Sequence, residues 1–232
     1  MDLRLTCRGL DLTMTSMPHS RLPILPEHLL AMREHLDLHC EFDITLWAYL
    51  LLAFFSFLRR SNMIPNSRFK FNPKEQLRRM DISFSDKGLV LHTQWSKTRQ
   101  KHEFWHVIPI SSVPNSVLCP VSAYCKMLIS ISAPATSPAF VYNIRGKLCP
   151  STSHPLRVKF SDLVVAIGLS PLDYSIHSLR RGGATLAAAA GVPDHMIKTH
   201  GDWKSAAYRG YIALPPSHRF SITQAMAGEL HH

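Results

Sequence analysis

The hydrophobic positions of this chain fall into a few dense blocks separated by polar, proline-rich joints. The densest is Ile44 to Leu58, ITLWAYLLLAFFSFL. It is apolar all round, the pattern of a helix enclosed on most sides. The helix is expected over 43–59, delivering Arg59 and Arg60 at its C-terminal end, where cations also complement the helix dipole. Ahead of it, Pro26-Glu27-His28 can start a helix running through HLLAMREHLDL, because proline is accepted in a first helical turn. After Pro65, Asn66 and Pro73 the pattern changes to β-formers and alternation. It predicts strands at Met80–Phe84, Gly88–Gln94 and Glu103–Ile110, the last two joined by a basic hairpin tip, WSKTRQKH.

Helical spacing returns at Cys119–Ile131, with Pro120 in the first turn. A short strand is expected at Ala139–Tyr142 and a helix at Ser153–Ile167, ended by Gly168. Leu179–Ala190 is an alanine-rich helix stopped by Gly191, and Pro193 opens a shorter one that Gly201 stops. Ser205 can cap a helix over 206–213, and His218–Leu230 closes the chain as an amphipathic segment. The elements add up to an α+β chain, mainly α-helical with a small antiparallel β-sheet.

Charge adds a partner to this picture. Lys plus Arg number 26 against 16 Asp plus Glu, a net charge of +10 over 232 residues, which favours a polyanion, nucleic acid first. A membrane span is disfavoured, because the 44–58 run falls short of the about 20 residues needed to cross a bilayer. The cysteines (Cys7, Cys40, Cys119, Cys125 and Cys149) are odd in number and lack a C-x-x-C pair, which suits reduced thiols in an intracellular protein. The 14 histidines show no zinc spacing, so no metal is expected.

Candidate chemistry gathers in Ile176–Ile212, IHSLRRGGATLAAAAGVPDHMIKTHGDWKSAAYRGYI. His177 and Arg180 are three residues apart and share a helical face. The Gly182-Gly183 pair allows close approach of a backbone or a ligand. A tyrosine can attack phosphorus, but its phenol, with a free pKa of about 10, needs a group to take its proton and cations around the phosphate. Two arginines and a histidine already in place would stabilise the extra negative charge of the transition state. A lysine would protonate the leaving 5′ oxygen. Arg59, Lys97, His177, Arg180, Trp203 and Tyr211 offer such a set, in that order.

With that order, the chain resembles the catalytic domain of the tyrosine recombinases, the phage-integrase family. FSFLRRSN, HSLRRGGAT and GDWKSAAYRGYI look most like the eukaryotic transposon-borne Crypton and DIRS types. The resemblance covers about residues 25–225. It implies the tyrosine recombinase catalytic-domain fold over 25–232, with residues 1–24 a tail or linker that is the remnant of an N-terminal core-binding domain. It implies that Arg59, Lys97, His177, Arg180, Trp203 (in place of a second histidine) and Tyr211 are catalytic. Arg60 competes with Arg59, Tyr208 competes with Tyr211, and His200 lies outside the second-histidine position. Asn62 stands where many members carry an acidic residue.

The resemblance further implies strand cleavage and rejoining through a 3′-phosphotyrosyl bond, for site-specific recombination or DNA integration, with no cofactor. The partner would be double-stranded DNA held by a homotetramer, with 216–230 resembling the helix that docks on a neighbouring protomer. Arg60, Arg99, Lys101, Arg181 and Lys204 are candidate DNA-binding residues. The location would be the nucleus in a eukaryote and the cytoplasm otherwise. The alternative is a catalytically inactive, domesticated DNA-binding relative.

Overall fold

The computed structural model describes residues 21–93, 106–205 and 209. Its centre is α2 (Glu41–Ser56), whose residues are all buried except Glu41, Phe42 and Phe55. Around it pack α4 (Pro120–Ser130), α6 (His177–Ala189), and the strands β3 (His106–Ser111) and β4 (Val141–Ile144). α1 (Pro26–Arg33) lies against α5 (Ser153–Ala166). α2 is therefore the enclosed helix its composition predicts. Its one buried acid, Asp43, is neutralised by Lys159 of α5 at 3.4 Å and accepts the Asp37 amide at 3.0 Å. At 16 residues and 1.5 Å per residue it is about 24 Å long, short of the ~30 Å hydrocarbon core of a bilayer. No described helix is long and apolar enough to cross a membrane.

The strand-rich section forms an antiparallel sheet in the order β1 (Ile82–Ser85), β2 (Gly88–Thr93), β3. Leu89 faces Ile110 and Leu91 faces Ile108, so one face feeds the core in the alternation read from the sequence. Met80 and Asp81, expected in the first strand, instead lie in a 3-10 turn, Arg79–Asp81. Asp81 accepts from the amide and guanidinium of Arg78 there, and that local ion pair closes a turn where a strand would leave both groups in solvent. A second, two-stranded sheet pairs β4 with β5 (Lys147–Pro150). β5 was not expected. Its turn is made by Arg145 at φ 49° and Gly146 at φ 75°, and an Arg-Gly pair is a weaker signal for two left-handed residues than Asn-Gly.

The end of α2 also differs from the expected helix over 43–59. The helix stops at Ser56, and Phe57 turns left-handed, with φ 53° and ψ 22°. Arg59 is extended, and Arg60 begins the four-residue α3 (Arg60–Met63). The two arginines therefore do not ride the end of α2 as expected. Ser56 accepts the Leu58 amide at 3.2 Å, so a side chain from the last turn holds the chain after it leaves the helix.

α6 begins at His177 and α7 spans Asp194–His200. α6 lies between two backbones. On one side the Ile24 amide donates to Ser178 at 3.0 Å; on the other stands the C-terminal turn of α2. The paired glycines make both approaches possible. A Cβ on Gly182 would sit 1.7 Å from the Ile24 carbonyl oxygen, and one on Gly183 would sit 2.0 Å from that of Phe54. Of the two uses the sequence allowed for Gly182-Gly183, the structure shows the backbone one.

Candidate functional site

Three elements converge where α2 ends. α6 supplies His177 at its first position and Arg180 one turn later. The loop after α2 supplies Arg59. The loop after α7 supplies Trp203.

Arg180 ties these together. The residue is 3% exposed. Nη1 donates to the Phe57 carbonyl, and Nη2 donates to the Gly201 carbonyl at 2.7 Å. The guanidinium lies over the Trp203 ring, 3.9 Å from its centroid. The left-handed turn at Phe57 thus presents a carbonyl that a continuing helix would have used internally.

Trp203 reaches Arg180 because of how α7 ends. The Trp203 amide donates to Lys198 at 3.0 Å and the Asp202 amide to Thr199 at 3.1 Å, with Asp202 left-handed at φ 51°. This is a Schellman-type closure. Gly201 caps the helix, as expected, and Asp202 after it is the left-handed residue. Gly201 serves a further need: a Cβ there would lie 1.7 Å from the Trp203 ring, which is buried against Phe57, Ala184 and Ile197.

His177 is exposed at its edge, yet its pKa is pushed down to about 4. Loss of solvation by its surroundings is the main cause, followed by the charges of Arg180, Arg59 and Arg181. The ring is neutral at pH 7, close to the positive charges of Arg180, Arg59 and Arg181. As pH falls from 6.5 toward 4, the unfolded chain takes up a proton here that the folded chain refuses, so this group makes the fold less stable with falling pH. An NMR titration of His177 in the free protein is expected to show a midpoint well below 6.5, moving up when inorganic phosphate is added. A midpoint at or above 6.5 without anion would contradict the crowding by three guanidinium groups.

His200, set apart from the second-histidine position in the sequence, ends α7. Its Nε2–H donates to the Phe55 carbonyl at 2.9 Å, and its ring packs on Phe57 at 4.7 Å. Burial holds its pKa below the usual value. His106, which sequence reasoning passed over, donates from Nε2 to the His200 carbonyl at 3.1 Å. It fastens the end of the sheet to the loop that holds Arg180 and Trp203. Only its place at the strand end beside a basic hairpin could have suggested this.

Arg59, His177, Arg180 and Trp203 are thus brought together. Among the candidate DNA-binding residues, Arg181 adds to the field on His177, Lys204 is exposed directly after Trp203, and Arg60 lines a cavity with His177 and Arg180 while donating to Asn66 at 2.8 Å. Lys97, Arg99, Lys101, Tyr208 and Tyr211 lie outside the described residues.

The same architecture occurs in solved structures. The XerH site-specific recombinase bound to difH substrate superposes with a TM-score of 0.61 at 12% identity, covering 92% of this chain and 56% of that one. XerA recombinase gives 0.61 at 17% identity, covering 91% and 66%. The Tn1549 transposon integrase in complex with transposon right end DNA gives 0.62 at 14% identity, covering 94% and 68%. The chain therefore has the tyrosine recombinase catalytic-domain fold, and it spans about 56% and 66% of the length of the two Xer proteins. No protein-family model matches the sequence, and no curated protein matches it.

Proposed function

We propose that this chain is the catalytic part of a DNA strand transferase of the tyrosine recombinase class. The observation that carries this is the anchored Arg180, sharing one site with His177, Arg59 and Trp203 in a fold found in DNA-bound recombinases. Arg59 and Arg180 hold the non-bridging oxygens of the scissile phosphate. Neutral His177 donates a hydrogen bond to the same phosphate. The Tyr211 phenol gives its proton to a solvent water as its oxygen bonds to phosphorus, and the P–O5′ bond breaks. Lys97 protonates the departing 5′ oxygen. A 5′ hydroxyl from another strand then reverses the step, so the phosphodiester energy is kept and no ATP is spent.

Support for Lys97 comes from its flanks. Thr93 and His106 pair at the open end of the sheet, and His106 is bonded to the residue before Gly201. Support for assembly as a homotetramer on double-stranded DNA comes from an apolar cavity of about 430 Å³ lined by Phe54, Phe55, Leu186, Met196 and Ile197. It suits the apolar side of segment 216–230 from a neighbouring copy. HSLRRGGAT and GDWKSAAYRGYI favour a Crypton or DIRS-type origin, and so work in a nucleus.

A duplex nicked close to the cleavage position traps the covalent stage, because the short released strand diffuses away. Incubation with such substrates is expected to give a denaturation-resistant protein–DNA adduct. DNA binding with no adduct on any substrate would instead indicate the non-cutting relative.

A further inference from the structure

Beside His177 and Arg180 opens a cavity of about 350 Å³, within the range of ligand sites. Its wall includes four guanidinium groups, Arg21, Arg60, Arg157 and Arg180, together with His177. No described wall residue is a carboxylate. Asp173, whose charge raises the pKa of the wall residue Tyr174, is not itself part of the lining. Arg21 is committed to the Pro171 and Leu172 carbonyls, and Arg60 to Asn66. Arg157, exposed on α5, makes no hydrogen bond or ion pair among the described residues. Tyr49, part of the same wall, is fully buried, has no hydroxyl partner among the described residues, and stays protonated because burial raises its pKa despite Arg60. So many like charges around one hollow oppose each other unless an anion enters.

We infer that this cavity is a second phosphate subsite, lined by Arg60 and Arg157, that takes the phosphate next to the scissile one on the same DNA strand. The inference rests on the strand-transferase reading. Its residues come from the segment before α1, from α3 and from α5, and none but His177 and Arg180 belongs to the proposed catalytic set. The subsite would fix the strand on two successive phosphates, so that the scissile one cannot slide past His177.

The test uses equilibrium binding, so it stands apart from cleavage. Wild type, Arg157→Gln and Ser161→Asp are titrated with sodium tripolyphosphate, and with a 20-base-pair duplex across 50–200 mM salt, after circular dichroism shows that each is folded. Ser161 is a wall residue, and its change puts an anion into the cavity. Both variants are expected to lose about tenfold in affinity for tripolyphosphate and several-fold for the duplex. The slope of log K against log salt should become shallower by about one, the value for one lost phosphate contact. Unchanged binding of both ligands by both variants would overturn the subsite. Cavity-dependent tripolyphosphate binding with unchanged duplex binding would overturn the DNA assignment and leave a free oligophosphate as ligand. A chain that binds DNA through Arg157 but never forms a covalent adduct would sink the strand-transferase reading and not the subsite.

Discussion

Arg180→Ala is expected to lower stability by about 2–4 kcal/mol and to slow covalent adduct formation by about 10²–10³. The stability loss follows from what the side chain joins. Two buried carbonyls, on Phe57 and Gly201, lose a charged donor, and Trp203 loses the cation stacked on it. A hydrogen bond to a charged group contributes about 1.5–3 kcal/mol, and a desolvated cation–π contact up to about 2 kcal/mol. The sum is reduced because alanine also removes a buried charge. The activity loss follows from electrostatics: one missing donor to a developing oxyanion costs about 10²–10³ in rate. Arg180→Lys should restore little, since an ammonium cannot span both carbonyls and lie flat on an indole. Urea unfolding and adduct yield on the same samples separate the two effects. A variant as stable as wild type would show that the anchor is not structural.

Gly183→Ala is expected to lower stability by about 1–3 kcal/mol, although alanine is the better helix former by up to about 1 kcal/mol. Overlap wins over propensity here. The added carbon would meet the Phe54 carbonyl oxygen at 2.0 Å and the Phe57 ring at 2.5 Å. The first is backbone in the last turn of the most buried helix, so α6 must move instead. That movement carries His177 and Arg180 away from Phe57 and Arg59. The melting temperature should fall by roughly 2–4 °C per kcal/mol for a domain of this size. An increase would mean that α2 and α6 are not packed backbone to backbone.

What could be read from the sequence, and what could not, follows from the range of each interaction. The enclosed α2, the β2–β3 alternation and the shared face of His177 and Arg180 are local patterns, and each was legible. The stop at Ser56 was not, because Phe57 takes a left-handed turn without glycine and is held there by Arg180, 123 residues away. That Gly201 stops α7 was legible, but the reason its small size is needed was not: the Trp203 ring folds back over it. Arg21 and Arg157 were invisible as partners, since only the fold brings their segments beside His177. The order Arg59, Lys97, His177, Arg180, Trp203, Tyr211 was legible as a resemblance, and four of the six stand together in the structure.

The nucleophile is the point on which the whole functional account depends. The most direct measurement is to digest the trapped adduct with trypsin and locate the nucleotide-bearing tyrosine by mass spectrometry, in wild type and in Tyr211→Phe and Tyr208→Phe. The expected result is a nucleotide on Tyr211, no adduct from Tyr211→Phe, and adduct retained by Tyr208→Phe. An adduct that survives Tyr211→Phe would contradict it.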